Sequence, residues 1–261
     1  MKIIYIHHST FCVETDGKVL IFDYYSGKGL PSCEYHGKIP DYPEDTPIYV
    51  FASHAHRDHF DTRVLTWVEH YRNIHFIFAR EVKKKLGASM LKRMGFGEEI
   101  RQKITYVRPG QAYEIAGVTV ETLLSTDSGV AFLVTVADRT IYHAGDLNWW
   151  RWEGESDEFN LSQERNYKRQ IAHLKDRKID VSFVVVDPRQ EKDKFLGIDC
   201  FLQRVDSGYV IPMHLWKQYD LVKEYREKPE NQPFRERILV FDGENQAVVL
   251  VSKTVARSII I

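Results

Sequence analysis

Ser53-His54-Ala55-His56-Arg57-Asp58-His59 places three imidazoles and a carboxylate within six consecutive residues. An apolar, β-prone run (Ile48, Tyr49, Val50, Phe51) leads into it, and Asp61 opens a helix-like stretch behind it. Neutral imidazole and carboxylate are natural ligands for zinc and similar transition metals. The end of a strand is a rigid place to hold them. A polar loop that merely exposed three crowded histidines would have little physical purpose. The segment predicts a metal site on a strand end.

Outward from this loop, apolar, β-prone runs and turn residues predict strands over 2–6, 11–15, 19–23, 48–52 and 75–79. A tight Asp16-Gly17 turn joins the second to the third. Apolar spacing predicts helices over 61–71 and 81–94. A second β-rich set follows over 104–107, 112–115, 118–124, 130–136 and 140–143. A helix is expected over 161–174, with Tyr167, Ile171 and Leu174 on one face, Asn160 as N-cap and Gln163 as its reciprocal partner. The last third reads as strands over 181–186, 209–212, 238–241 and 247–251, with helices near 197–205 and 221–227. The loop from Ser26 to Pro47 holds four of the nine prolines and three glycines, which suits a rim loop. No linker-like stretch divides the chain. It reads as one domain, 1–261, with β-rich halves over roughly 1–115 and 116–261 and a helical insert over roughly 149–178.

Composition bounds the partners. With 261 residues, 43% of them hydrophobic and 28% charged, the chain resembles an ordinary soluble globular protein that can bury a substantial core. A formal charge of −1 gives no sign of a nucleic-acid or membrane-surface partner, so a small-molecule substrate is expected. Lys83, Lys84 and Lys85 form the only tight basic run and read as a solvated helix face. No charged leader with a long apolar region opens the chain, and no apolar run approaches membrane-spanning length. Cys12, Cys33 and Cys200 are odd in number and scattered, which fits free thiols in a reducing cytoplasm. Nothing here indicates an oligomeric state.

Two further candidate ligands lie far downstream. Thr140-Ile141-Tyr142-His143-Ala144-Gly145-Asp146 runs from a strand into a Gly-Asp turn, and Tyr209-Val210-Ile211-Pro212-Met213-His214 ends a strand on an imidazole. Taken alone, Asp146 reads as a turn former and His214 as a core or surface histidine. Beside the first motif, both become candidates for the same site.

At this point the sequence resembles the metallo-β-lactamase superfamily. Four segments in order carry the resemblance: the hairpin from His8-Ser9-Thr10-Phe11 to Ile21-Phe22-Asp23, the His54–His59 motif, Gly145-Asp146, and Met213-His214. The first and last look most like the branch that contains the ascorbate-6-phosphate lactonases. The resemblance implies an α/β fold, an αββα sandwich of two mixed sheets flanked by helices, with the metal site along one edge. It also implies that His54 and His56 hold a first metal, that Asp58, His59 and His214 hold a second, and that Asp146 bridges them.

One family ligand is missing. The loop that usually supplies a third histidine to the first metal reads Ser125-Thr126-Asp127-Ser128-Gly129. Asp127 is its only good ligand, since a hydroxyl is a weak donor. The alternative is an aspartate that merely caps its own turn.

A two-metal centre would share a hydroxide of near-neutral pKa and polarise a carbonyl or phosphoryl oxygen. Asp58 would be the catalytic carboxylate that holds the nucleophile and hands on its proton. The cofactors implied are one or two divalent ions, zinc first, with manganese or iron favoured by the extra carboxylate. Trp149, Trp150 and Trp152 follow the Asp146 turn and either wall a substrate pocket or anchor the next helix; Trp149 is the candidate substrate contact. Arg189 either receives a substrate phosphate or carboxylate or makes a surface salt bridge. Of His7 and His8, one is expected to face the metal cleft, with His8 the candidate. The expected activity is metal-dependent hydrolysis of a small ester, lactone, thioester or phosphodiester. The alternatives are a nuclease, or a metal-binding protein of weak catalysis because the third histidine is absent.

Overall fold

Alternation along the first strands builds the molecule's middle layer. Strand β1 is Lys2–His7, β2 Thr10–Thr15, β3 Lys18–Phe22, β4 Ile48–Ala52, β5 Ile74–Ala79 and β6 Ile104–Val107. Ile3, Tyr5, Phe11, Val13, Leu20, Phe22, Tyr49 and Phe51 enter one apolar core, and the intervening Ile4, Ile6, Cys12, Val19, Ile21 and Val50 enter another. Successive strand side chains point to opposite faces, so this sheet is buried on both sides. In the computed structural model, which describes residues 1–29, 33–252 and 255–260, the first sheet has eight strands. Its order is β14-β13-β1-β2-β3-β4-β5-β6, where β13 is Gln246–Ser252 and β14 is Val255–Ile260.

The second sheet runs β12-β11-β10-β9-β8-β7. Its strands are β7 (Ala112–Ile115), β8 (Val118–Leu124), β9 (Val130–Val136), β10 (Arg139–His143), β11 (Lys178–Val185) and β12 (Asp206–Met213). The two sheets face each other across stacked rings such as Phe11 on Phe183, centroids 4.1 Å apart. A fully buried phenylalanine contributes about 1.5–3 kcal/mol. Outside the first sheet lie α1 (Ala88–Arg93) and α2 (Glu99–Gln102); outside the second lie α3 (Asp157–Ala172) and α4 (Leu196–Arg204), the latter stacking Phe201 on Tyr142. Helix α5 (Asp220–Glu227) follows β12. Two mixed sheets flanked by helices form the expected αββα sandwich.

Several local expectations are corrected. The helix over 61–71 is a 3-10 helix, Thr62–Glu69, whose Thr62, Val64, Thr66 and Val68 are β-branched and poor α-helix formers. The helix over 81–94 breaks at Gly87 into a 3-10 segment, Arg80–Lys84, and α1. Helix α3 starts earlier than expected because Ser156, not Asn160, caps it, its Oγ accepting from the Phe159 N–H at 3.2 Å. Asn160 instead lies buried inside the helix and grips the Trp152 backbone, while Gln163 donates to the Thr126 carbonyl. Residues 238–241 form no strand; Ile238 makes a lone bridge to Val210. The division into halves at 115/116 does not follow the sheets: β7 already belongs to the second sheet, and β13 and β14 return to the first. Residues 30–32 of the proline-rich loop lie outside the described residues. Among the described residues no helix is long and apolar enough to cross a membrane.

Strand direction positions the site. Strands β1, β3 and β4 are parallel to one another, as are β8, β10, β11 and β12. Their C-terminal ends carry His8, Asp23, the Ser53–His59 loop, Asp127, Asp146, Asp187 and His214. Side chains distant in sequence therefore meet at one edge, as open sheets gather ligands at strand carboxyl ends.

Candidate metal centre

Three histidines are aimed by their outer nitrogens. His59 Nδ1 donates to Asp23 Oδ2 at 2.8 Å, His214 Nδ1 to Asp187 Oδ2 at 3.0 Å, and His54 Nδ1 meets Ser53 Oγ at 2.9 Å. Ser53 Oγ in turn donates to Asp23 Oδ2 at 2.6 Å, and the Ser53 N–H donates to Asp23 Oδ1. Each Nε2 is thus left facing inward, the arrangement that orients metal-binding imidazoles. His54 Nε2, His59 Nε2, His214 Nε2 and Asp146 Oδ1 are buried with no hydrogen-bond partner. Leaving such atoms unpaired costs about 1–3 kcal/mol each. Their convergence identifies a common missing partner, and a cation fits.

The spacing supports the same ligand. His54, His56, Asp127 and Asp146 offer atoms within 4.8 Å of one another, and so do His8, Asp58, His59 and His214. Asp146 Oδ2 is 3.4 Å from His54 Nε2, while its Oδ1 is 3.2 Å from His59 Nε2 and 3.6 Å from His214 Nε2. Asp58 Oδ2 lies 3.6 Å from His214 Nε2 and 3.7 Å from His59 Nε2. Ligands held about 2.0–2.1 Å from a tetrahedral ion are about 3.3 Å apart. The donor set suits divalent transition metals, and Asp146 turns one oxygen to each group.

Asp127 reaches this edge because its loop is pressed against the histidine loop. A Cβ at Gly129 would lie 1.9 Å from the Ser53 carbonyl oxygen, and Gly129 has φ +71, which glycine adopts without strain. Val130 N–H donates to that same carbonyl at 3.0 Å. Ser125 Oγ, rather than Asp127, makes the side-chain bond of the turn. The Asp127 carboxylate sits 3.6 Å from His56 Nδ1, and both side chains are about half exposed (45% and 54%), so this group is the more open of the two.

The remaining candidates separate. Trp149 does not line the cleft: it packs against the core under the Lys168 ammonium, 4.4 Å from its ring. Consecutive residues on the turn face different ways, and Trp150 and Trp152 wall the cleft with Trp216, Phe159 and Arg189. His8 is buried and touches Asp58, Nε2 to Oδ2 3.3 Å, which places it behind the floor of the cleft and away from a substrate's position. His7 turns the other way, donating to the Tyr25 carbonyl. Sequence reasoning missed Asp23 and Asp187 as the residues that orient His59 and His214. The one available signal was that each ends a strand.

Charge coupling at the centre is strong. Burial would lower the His214 pKa, but Asp146, Asp187 and Asp58 outweigh it and lift it to about 9. His59 is lifted well above its usual value by Asp146 and Asp58 against the same burial. Burial, reinforced by His59, takes His54 down to about 3. Burial would raise Asp146 and Asp58, yet the imidazoles hold both well below the usual carboxylate range. Asp127 is pushed up by burial and by Asp146.

A pH dependence follows. His59 and His214 have raised pKa values, so their protons stabilise the metal-free fold fully below 6.5, the ordinary histidine value, and that contribution is lost as pH rises toward 9. A bound ion takes the place of those protons. Zinc affinity, and the rise in Tm on adding zinc, are expected to grow between pH 6.5 and 9. Thermal melts with and without zinc check this; an equal shift at both ends of the window would contradict it.

The comparisons agree with this geometry. A family model described as Beta-lactamase superfamily domain matches residues 2–158, and the chain belongs to the metallo-β-lactamase superfamily. The match includes the His54–His59 motif, Asp127 and Asp146 and ends before Arg189 and His214. UPF0173 metal-dependent hydrolase YtkL of Bacillus subtilis (strain 168) is 30% identical over 154 residues, covering 56% of this chain and 63% of that relative's length. Among solved structures, Igni18, a metallo hydrolase from the hyperthermophilic archaeon Ignicoccus hospitalis KIN4/I, aligns with a TM-score of 0.60 at 17% identity, covering 95% of this chain and 98% of its own. CmlA, a diiron beta-hydroxylase from Streptomyces venezuelae, aligns with a TM-score of 0.53 at 15% identity, covering 82% of this chain and 44% of its own. At these identities the structural neighbours share the fold.

Proposed function

We propose that the protein is a metal-dependent hydrolase that cleaves a small ester, lactone, thioester or phosphodiester with one or two divalent transition-metal ions. The observation that carries this reading is the convergence of two ligand groups on one cleft, with Asp146 offering an oxygen to each. His54, His56, Asp127 and Asp146 would hold one ion. Asp58, His59 and His214 would hold the other, with His8 steadying Asp58. When bound, the ions would supply Lewis acidity and lower the pKa of a coordinated water toward neutrality. Asp58 lines the cleft and is the residue positioned to take a proton and return it to the leaving group. Trp150, Trp152 and Trp216 wall the cleft beside it.

A cleft of about 350 Å³ suits a small molecule. Imidazole-rich coordination favours zinc, and the Asp127 carboxylate gives manganese or iron a place in the more open group. The neighbouring fold serves a diiron hydroxylase as well as a metallo hydrolase, so the donor set decides the metal. The free thiols Cys12, Cys33 and Cys200 support a reducing compartment. The test is elemental analysis followed by a panel of lactones, thioesters and phosphodiesters at known metal content. Metal-loaded protein that hydrolyses none of them would overturn the reading, and cleavage of nucleic acid in preference to all of them would move it to a nuclease.

Asp127 gives a sharper arm. Asp127→Ala is expected to lose one ion selectively and keep the other, and Asp127→His to restore occupancy with a stronger preference for zinc. Metal counting on Asp127→Ala decides the point. Full occupancy of both groups, with a stability change of about 1 kcal/mol as for a lost turn contact, would leave Asp127 a turn residue.

A further inference from the structure

Arg189 is the one arginine or lysine among the described residues lining the cleft. Its Nε and Nη2 are committed to Asp187, with Nε 2.9 and 3.0 Å from the two carboxylate oxygens. Asp187, fully buried, already accepts from His214 Nδ1, Trp216 Nε1 and the Arg189 backbone N–H. The guanidinium therefore exceeds what that carboxylate needs. It lies 4.4 Å from the Trp216 ring, its side chain is 51% exposed, and Nη1 makes no hydrogen bond among the described residues.

The loop that carries it is built to hold position. Gln190, next along, is buried and ties the loop to the Asp146 turn, accepting from Asn148 Nδ2 at 2.8 Å and donating to the Trp149 carbonyl at 3.0 Å. Glu191 is held at φ 52, ψ −115. Such backbone costs about 1–3 kcal/mol and clusters at ligand clamps. Two divalent ions would bring four positive charges against Asp58, Asp127 and Asp146 on the cleft floor, so an anion entering there would meet no net repulsion.

We propose that Arg189 sets substrate specificity by binding a carboxylate or phosphate on the substrate, while Trp150, Trp152, Trp216 and Phe159 hold a flat apolar body between it and the metal centre. The substrate class is thus an anionic, ring-bearing ester, lactone or related compound. This rests on the hydrolase reading, but its test reads binding and needs no turnover. Metal-loaded wild type, Arg189→Met and Arg189→Lys are titrated by tryptophan fluorescence with benzoate, phenyl phosphate and benzyl alcohol. Loss of a charge-assisted hydrogen bond from Nη1 should weaken the two anions roughly tenfold to a hundredfold in Arg189→Met. Arg189→Lys, which keeps the charge but cannot hold Asp187 and the anion at once, should fall between; it stands alone if the methionine variant does not fold. Benzyl alcohol should move by less than about threefold. The tighter of the two anions then identifies the group recognised. Equal weakening of all three ligands would mean that Arg189 acts only through Asp187 on His214. Unchanged anion binding would place the oxyanion on the metals alone. Either result overturns the proposal, whereas failure of the hydrolysis panel with these binding differences intact would count against the hydrolase reading only.

Discussion

Asp146→Asn protein is expected to leave purification with fewer than one metal ion per chain and with turnover lowered about a thousandfold. Asp146 alone turns an oxygen to both ligand groups, and an amide keeps its shape without its charge. Removing one member of a buried charge set costs about 3–5 kcal/mol. Expressed wholly in the transition state, that is about three orders of magnitude. Elemental analysis and initial rates check it, with circular dichroism to establish that the variant folds. Two ions retained per chain, or near wild-type turnover, would remove Asp146 from the bridging position.

Asp58→Asn should separate chemistry from assembly. Asp58 is the carboxylate that both lines the cleft and touches His8, His59 and His214. The amide can still coordinate weakly through oxygen but cannot carry a proton. Turnover is expected to fall about a hundredfold or more at saturating metal, the scale of a lost general acid–base group, with a smaller change in KM. Wild-type kcat in metal-replete Asp58→Asn would rule out the proton-carrying role.

The strands and the histidine loop were legible because both signals are local. The unbroken apolar runs Ile3–Ile6 and Ile48–Phe51 reflect burial on both faces, and the density of imidazoles in His54–His59 has no structural purpose without an ion. What lay beyond reach depends on contacts made by the finished fold. Asp127 joins His56 only because Gly129 lets two loops from different sheets touch. Asp23 and Asp187 carry no spacing pattern, and their function appears only when His59 and His214 are seen leaning on them. Trp149 and Trp150 are neighbours of the same chemistry, and only the turn decides which enters the cleft. The 3-10 helix at Thr62–Glu69 shares its apolar spacing with an α-helix, and β-branching rather than periodicity separates the two.

Because the groups that converge at this edge run from His8 to His214 and come from both sheets, one ligand group needs the chain only as far as Asp146, whereas the other cannot be complete on a growing polypeptide until β12 has been made. An ion meeting the chain before Asp127 and Asp146 have been made finds the His54–His59 cluster, a loose and reversible hold that also lets the unfolded state compete for metal. Secure capture waits for the second sheet to close over the first. Occupancy of the group that contains His214 is thus a chemical record that β12 has taken its place in the second sheet. A cell short of metal would accumulate chains that are folded yet unfastened at this edge, open there first to proteolysis.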